Sequence, residues 1–375
     1  VSVFFGTTDE HRMMQETLVR FVTAESGLED RARRLHGPAP DRLALWAHLL
    51  ELGTVAALLP EAHGGFGGTP ADMAVVQAAL AEGLLVEPVL ACAVVAARLL
   101  QAAEGEQAAA LLAGIASGDA IAILAHAEGF DAFAAPILAA EPDGAGGYVL
   151  SGVKPAVRHA DVASHLLLSA RLGDETALFV LPSAAEGLEL ASTRAIDAAG
   201  AADVILHSVR LGPEARLAFV GDALDAINDA LLWGLAGLAV ETAAIAAAAN
   251  RETFAYLNVR EQFDTKLANF QALQHKAADM AIAGEEAAAM AAHAIAVLGS
   301  GQDMAERSRC VLAASLACDA AGRTVGHGAV QLFGGMGVSD ETIVSHHARR
   351  LAAIRAQIGT CEARAARLST LEGNG

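Results

Sequence analysis

Apolar residues recur at helical spacing through the first third of the chain. Over His11–Thr23, Met14, Leu18 and Phe21 fall on one face; over Arg42–Leu52, Leu43, Trp46, Leu49 and Leu50 repeat the pattern. The stretch from about Asp9 to Ser117 therefore reads as helices. It is broken by Leu59-Pro60-Glu61-Ala62-His63-Gly64-Gly65-Phe66-Gly67-Gly68, whose glycines predict an ordered loop with several positive-φ positions. Thr69-Pro70 then predicts a helix start: a side-chain cap, a first-turn proline, and Asp72 where the helix dipole favours negative charge.

From about Asp119 to Leu211 the pattern shortens. Ala120–Leu124, Gly147–Leu150, His165–Ala170, Ala177–Leu181 and Asp203–Leu206 are short apolar runs between Gly, Pro and Asp, and they predict strands. Helical patterning returns from about Glu214, in Ala-rich stretches over Asp222–Arg260, Asn269–Leu298, Gln302–Gln331 and Glu341–Ile358. Asp264–Leu267 and Gly334–Ser339 interrupt them. The expected fold is mostly α with a central β domain: a helical domain over 1–118, a β domain over 119–213 and a helical domain over 214–375. Without βαβ alternation, a Rossmann arrangement is not expected.

Composition sharpens this. Hydrophobic residues are 54% and charged residues 18% of 375, which excludes a disordered chain. Aromatic content of 4% in an Ala/Leu-rich chain points to closely packed helices. The net charge of −19 presents a repulsive field to phosphates, so nucleic acid is not an expected partner, and an anionic ligand needs a local cluster of Arg or backbone N–H groups. Cys92, Cys310, Cys318 and Cys361 have no C-x-x-C spacing; they read as thiols in a reducing compartment, and a cytoplasmic location is expected. His346 and His347 are adjacent, so they form no i, i+4 metal pair, and no metal is expected. The apolar start Val1–Phe5 is too short for a secretory signal. The apolar runs Ala230–Val240 and Val89–Leu100 stop short of the ~18–20 residues a bilayer span needs, so no membrane span is expected.

The glycine-rich stretches 64–68 and 334–337 fit neither G-x-G-x-x-G nor G-x-x-x-x-G-K-[ST], and locally they read as tight turns. Arg260 has two readings: a cation for a diphosphate beside a flat ring, or a surface arginine favoured at a helix C-terminus. The ordered set decides more than its pieces. Trp46, Leu59-Pro60-Glu61, Gly64–Gly67, Gly152-Val153-Lys154, Tyr256-x3-Arg260-x-Gln262-Phe263, Phe270-Gln271-x2-Gln274-His275-x2-Ala278-Asp279-Met280 and Gln331-x2-Gly334-Gly335-x-Gly337-x3-Glu341 occur in sequence over nearly the whole chain. In that order and spacing the chain resembles the acyl-CoA dehydrogenase family.

The resemblance implies an N-terminal helical domain, a middle β-barrel-like domain and a C-terminal four-helix bundle. It implies FAD held between domains and across a subunit interface, an acyl-CoA substrate dehydrogenated at its α and β carbons, and electron-transfer flavoprotein as electron acceptor. It implies cofactor contacts for Arg260, Gln262 and Phe263, for Leu267, Phe270 and Leu273, and for Gln331, Gly334 and Gly335.

Departures from the family pattern are concentrated around the reacting centre. The usual base, a Glu before Gly-Thr, corresponds to Ile358 before Gly359-Thr360. A second family position for the base falls near Gly234. The available carboxylate is Glu241, seven residues on and the only charge in Ala230–Asn250, which is the same face but about 10 Å further along the axis. Two readings stand for Glu241: a buried base of raised pKa, or a structural carboxylate paired with an arginine. Ala125 replaces a hydroxyl offered to the flavin, Ala156-Val157-Arg158 replaces an aromatic and a small hydroxyl residue over it, Leu235 replaces an arginine near the substrate, Asp264 replaces a glycine, and Arg349-Arg350 replaces Arg-Asp. The ending Glu341…His346-His347-Ala348-Arg349-Arg350 resembles a bacterial subgroup in which two different chains of this family pair, several of them acting on bulky CoA thioesters. Three functions are therefore expected to compete: dehydrogenation with Glu241 as base, in a homo- or hetero-oligomer; a non-catalytic subunit that completes a partner's FAD site; and a related flavin monooxygenase.

Overall fold

Thr8 opens the first helix as a cap, its hydroxyl accepting from the His11 N–H, and α1 runs over Asp9–Glu25. The structure, a computed structural model, describes residues 8–36 and 43–373; Val1–Phe5 and Arg42 lie outside them. Helices α2 (Leu28–His36), α3 (Trp46–Glu51) and α4 (Pro70–Glu82) follow. The α4 start is the expected one: Thr69 caps, Pro70 sits in the first turn, and Asp72 closes a capping box. The glycine-rich loop before it folds back on Leu58 and Leu59. A Cβ on Gly65 would lie 1.9 Å from the Leu59 carbonyl oxygen, so this loop is a turn that only glycine closes. The apolar run after Pro88 is wound first as a π-helix (Leu90–Ala96) and then as α5 (Ala97–Ala102), and α6 (Glu106–Ser117) completes the helical region.

The β region forms two sheets. One contains β1 (Ala103–Glu104), β9 (Arg216–Phe219), β6 (Glu175–Pro182), β5 (His165–Leu172) and β2 (Ala122–Ala125), in that order, with only β2 and β5 parallel. The other contains β3 (Ala140–Pro142), β4 (Tyr148–Arg158), β8 (Gly200–Leu211) and β7 (Leu188–Arg194), all antiparallel. A parallel bridge between Ala139 and Arg171 ties them into a barrel-like whole. The five predicted strands are present, and β4 and β8 run longer than their apolar runs. Strands β1, β3, β7 and β9 carry weak patterns; β9 lies just beyond 213, and β1 lies within the stretch expected to be helical. Inside the barrel, Lys154 is 0% exposed and donates to the His126 carbonyl, the Glu128 carboxylate and the Ser169 hydroxyl. A buried ammonium is tolerated because each of its three donors has an acceptor.

The C-terminal bundle contains α7 (Ala223–Val259), α8 (Gln271–Leu298), α9 (Met304–Phe333), α10 (Ile343–Ile354) and α11 (Cys361–Gly373). Asp222 and Asp303 cap α7 and α9. Counted as whole helices, α7 and α8 are long and apolar enough to cross a membrane, by length and composition only. The apolar stretch of α7 is 94% buried within the protein, as expected of a helix whose every face is packed. Two glycines let α7 come close to its neighbours. A Cβ on Gly237 would lie 2.5 Å from Leu90 Cδ1, and one on Gly234 would lie 2.7 Å from Ile358 Cδ1. The four cysteines are free thiols.

Candidate active site

Two places gather the expected residues. The first is one end of the bundle. Helix α7 stops at Arg260, and the chain turns through a hairpin of β10 (Glu261–Gln262) and β11 (Thr265–Lys266). The turn residues Phe263 and Asp264 have φ of 55° and 60°, the mirror-image turn that two-residue hairpins favour; Asp tolerates it at the family's glycine position. The rings of Tyr256 and Phe333 stack at 4.1 Å and 13°. That contact joins the end of α7 to the end of α9, so Arg260 and the Gly334-Gly335 corner share one end of the bundle. Phe263 is 87% exposed and meets Phe270 edge-on at 6.2 Å. Leu267, Phe270 and Leu273 are half-buried behind it; Gln262 and Gln331 are exposed. Arg260 is exposed, and its guanidinium has no hydrogen bond or ion pair among the described residues. A Cβ on Gly334 or Gly335 would meet nothing within 4 Å. A free guanidinium, an open glycine corner and an exposed ring fit the diphosphate and adenine half of FAD.

The second place is a cavity of about 520 Å³ where the N-terminal helices, the β region and the bundle meet. Its apolar wall comes from Leu80, Leu90, Val95, Leu231 and Leu238, and its α10 side is built of Ala352, Ala353 and Ala356. Ile358 stands in this wall, held by its neighbours: the Thr360 N–H donates to the Phe130 carbonyl at 3.0 Å, and Gly359 (φ 71°) leaves room for that approach. Gly234 lies against it. Ile358 and Gly234, the two places where the resemblance leads a base to be expected, therefore meet at one spot, and neither holds a carboxylate.

Glu241 also lines the cavity, 4% exposed. Both its oxygens are taken by Arg350: Nε donates to Oε1, and Nη2 to Oε2 at 2.9 Å. Arg350 Nη1 donates to Asp197, and Asp197 accepts from Arg158 Nη2 at 2.6 Å. The four side chains form a chain of alternating sign, Glu241–Arg350–Asp197–Arg158, buried except for the half-buried Arg158, from α7 through α10 to the β7–β8 loop and β4. Burial pushes the Asp197 carboxyl up, but Arg350 and Arg158 outweigh it and hold it well below the usual carboxylate range. Burial disfavours the Arg350 guanidinium, and Glu241 and Asp197 more than restore it. This is the geometry of the structural reading of Glu241. Glu87 is the other carboxylate of the wall. Burial raises its pKa, with Arg34 3.8 Å away opposing the rise, and Oε2 accepts from the Val86 N–H.

The β side of the cavity carries His126, whose Nδ1 meets the Ser169 hydroxyl and whose Nε2 has no partner among the described residues, with His159 and Thr193 also in the wall. Pro155 has no N–H, the Ala156 N–H is taken by Asp203 at 2.7 Å, and Val157 and Arg158 are laddered to Ala202 and Ala201. Ala125 and Ala156 carry no hydroxyl. The sequence reading missed the ion network as a unit, although Arg158 and Arg350 were each visible as a departure. Two added cations near one site are a signal that counter-ions must be present.

The N-terminal domain model of the acyl-CoA dehydrogenases matches residues 8–119, and the C-terminal domain model matches residues 222–369. The mitochondrial short-chain specific acyl-CoA dehydrogenase of Bos taurus is 30% identical over 268 residues, which cover 68% of this chain and 64% of that relative's length. Benzylmalonyl-CoA dehydrogenase of Aromatoleum aromaticum is 28% identical over 312 residues, covering 78% of this chain and 80% of the relative. Among solved structures, a variant of the Tcur3481-Tcur3483 steroid ACAD superposes with a TM-score of 0.87 at 27% identity, covering 98% of each chain.

Proposed function

The chain belongs to the acyl-CoA dehydrogenase family, whose members are FAD-binding oxidoreductases, and on that premise we propose that it is the base-free chain of a two-component acyl-CoA dehydrogenase. FAD, when bound, supplies the hydride acceptor for α,β-dehydrogenation of an acyl-CoA thioester. This chain's part is at the bundle end. Arg260 offsets the diphosphate charge, with Gln262 and Phe263 beside it. Leu267, Phe270 and Leu273 form an apolar floor, and Gln331, Gly334 and Gly335 let backbone approach the adenine side. The second chain carries the base. Electron-transfer flavoprotein is the acceptor that fits this chemistry.

The observation that carries the reading is the Gly234–Ile358 contact. A base must reach the α proton with a free lone pair. The two family positions for it hold hydrogen and a hydrocarbon, and Glu241 is chelated by Arg350. The paired chain names of the steroid ACAD relative support unlike chains, and its substrate class, with the alanine-lined wall here, supports a bulky acyl group.

The chain, purified with its natural partner, is expected to be yellow and to bleach with a suitable acyl-CoA. Arg260→Ala in the complex is expected to release FAD, while Glu241→Gln leaves turnover per bound FAD unchanged. The competing reading, Glu241 as base, is motivated by its place in the cavity wall; it requires Glu241→Gln to abolish turnover in a folded, FAD-loaded complex. A colourless complex that FAD does not reconstitute would remove both.

A further inference from the structure

The wall of the 520 Å³ cavity holds polar atoms that the protein itself does not satisfy. The His126 Nε2, the Arg158 Nε and the amide nitrogens of Gln77 and Gln357 have no hydrogen-bond partner among the described residues. His126 and Gln77 are each 4% exposed. Buried polar groups in folded proteins are nearly all paired, with protein, water or ligand. Four unpaired ones around a single cavity mark a place whose partners come from outside the chain.

The proton of His126 can be placed. Lys154 only donates, and it donates to the Ser169 hydroxyl oxygen at 3.2 Å. Ser169 is 0% exposed, so its own hydrogen goes to the acceptor in reach, His126 Nδ1 at 2.7 Å. The ring's remaining proton therefore sits on Nε2. The Ala134 backbone favours a proton on the ring but makes no hydrogen bond with it. Burial and the Lys154 charge push the His126 pKa down to about 4, so the ring is neutral at ordinary pH. The relay Lys154–Ser169–His126 thus leaves a fixed, uncharged N–H donor without an acceptor, and Arg158 Nε is a second group that can only donate.

The rest of the wall limits what can answer these donors. Its charges are already offset: Glu241, Arg350, Asp197 and Arg158 by one another, and Glu87 by Arg34 at 3.8 Å. An ion would bring unbalanced charge into a largely apolar space. The other side chains are mainly aliphatic, with no Phe, Tyr or Trp among the lining residues to stack on a flat ring. The volume is that of a small-molecule site.

We infer that this cavity binds an uncharged, saturated ring or chain bearing a ketone oxygen, with His126 Nε2–H as the donor to that oxygen and the Gln77 amide as a second polar contact. The inference goes beyond the two-chain reading: it gives the base-free chain a ligand of its own, whichever chain supplies the base.

The test is equilibrium dialysis of the isolated full chain with 2-decalone and with decalin, its hydrocarbon counterpart, together with infrared spectra of the bound ketone. Saturable binding of both probes is expected, with a carbonyl stretch at lower frequency in the unaltered chain than in His126→Phe. Ketone affinity should be about tenfold weaker in His126→Phe and in Gln77→Leu. Decalin affinity should not change, which shows that each variant keeps its cavity. Failure of both probes to bind saturably overturns the inference. So does equal ketone affinity in all three proteins, or displacement of the ketone by riboflavin 5′-phosphate at equal concentration. Should neither variant fold, a bound carbonyl stretch in the unaltered chain no lower than that of 2-decalone in hexane overturns it. Each of these outcomes leaves the two-chain reading standing, because that reading rests on Gly234, Ile358 and the bundle end.

Discussion

Arg350 holds two buried carboxylates at once, so the residues of the network are not equivalent. Removing Arg350 strands Glu241 and leaves Asp197 with Arg158, whereas Glu241→Gln leaves Arg350 with Asp197. Glu241→Gln is expected to cost about 3–5 kcal/mol and Arg350→Met more, read as the denaturant midpoint of the purified chain. Asp197 gives the pH dependence. Its carboxyl is held below its ordinary value in the folded protein, so its stabilisation is complete above the ordinary carboxylate pKa of about 3.9 and is lost as pH falls towards the lower, folded value. Thermal midpoints of the unaltered chain should fall as pH drops below about 4, and Asp197→Asn should flatten that slope. Little of this was legible beforehand. Directly bonded members of the Arg158, Asp197, Glu241 and Arg350 set lie up to 153 positions apart, and no periodicity links them. What could be read was that two cations had replaced small or acidic residues near one site.

At the scale of elements, α7 combines a 37-residue length with close approach to the π-helix and to Ile358. Alanine at Gly237 gains about 1 kcal/mol in helix propensity but places a methyl 2.5 Å from Leu90 Cδ1. Overpacking of this kind costs about 1–3 kcal/mol, so Gly237→Ala should be net destabilising in thermal unfolding, and Leu90→Ala should lessen the penalty of the pair. Asp264→Gly should act in the opposite sense, relieving a positive φ of 60° and raising the midpoint slightly. Capping was the most readable feature: Thr69-Pro70-x-Asp72 formed the helix start its chemistry demands. The length of β4 was not, because the apolar run that predicted it ends at Leu150, before Gly152, Lys154 and Pro155. Pairing with β8, a bulge between Lys154 and Val157, and a lysine satisfied inside the barrel override that local signal. The π-helix was likewise invisible, since its apolar run suits any buried helix.

The whole molecule carries a net charge of −19, yet one end of its bundle presents Val259, Phe263, Met336 and Val338 to solvent around a lone arginine. If that end meets a partner's cofactor, Phe263→Ser should shift the assembly towards dissociated chains in sedimentation while leaving the secondary structure of each chain intact. The order of domains and the bundle-end residues were readable because they follow motif spacing; the state of the cleft was not, because it depends on how three distant segments close on each other. That closure has a historical consequence. Reversing any single member of the Glu241–Arg350–Asp197–Arg158 set leaves an uncompensated charge in a dry interior, a loss of about 3–5 kcal/mol against a typical total of 5–15. The four positions are thus expected to change as a block in descendants of this protein, since any single replacement leaves a net charge among them.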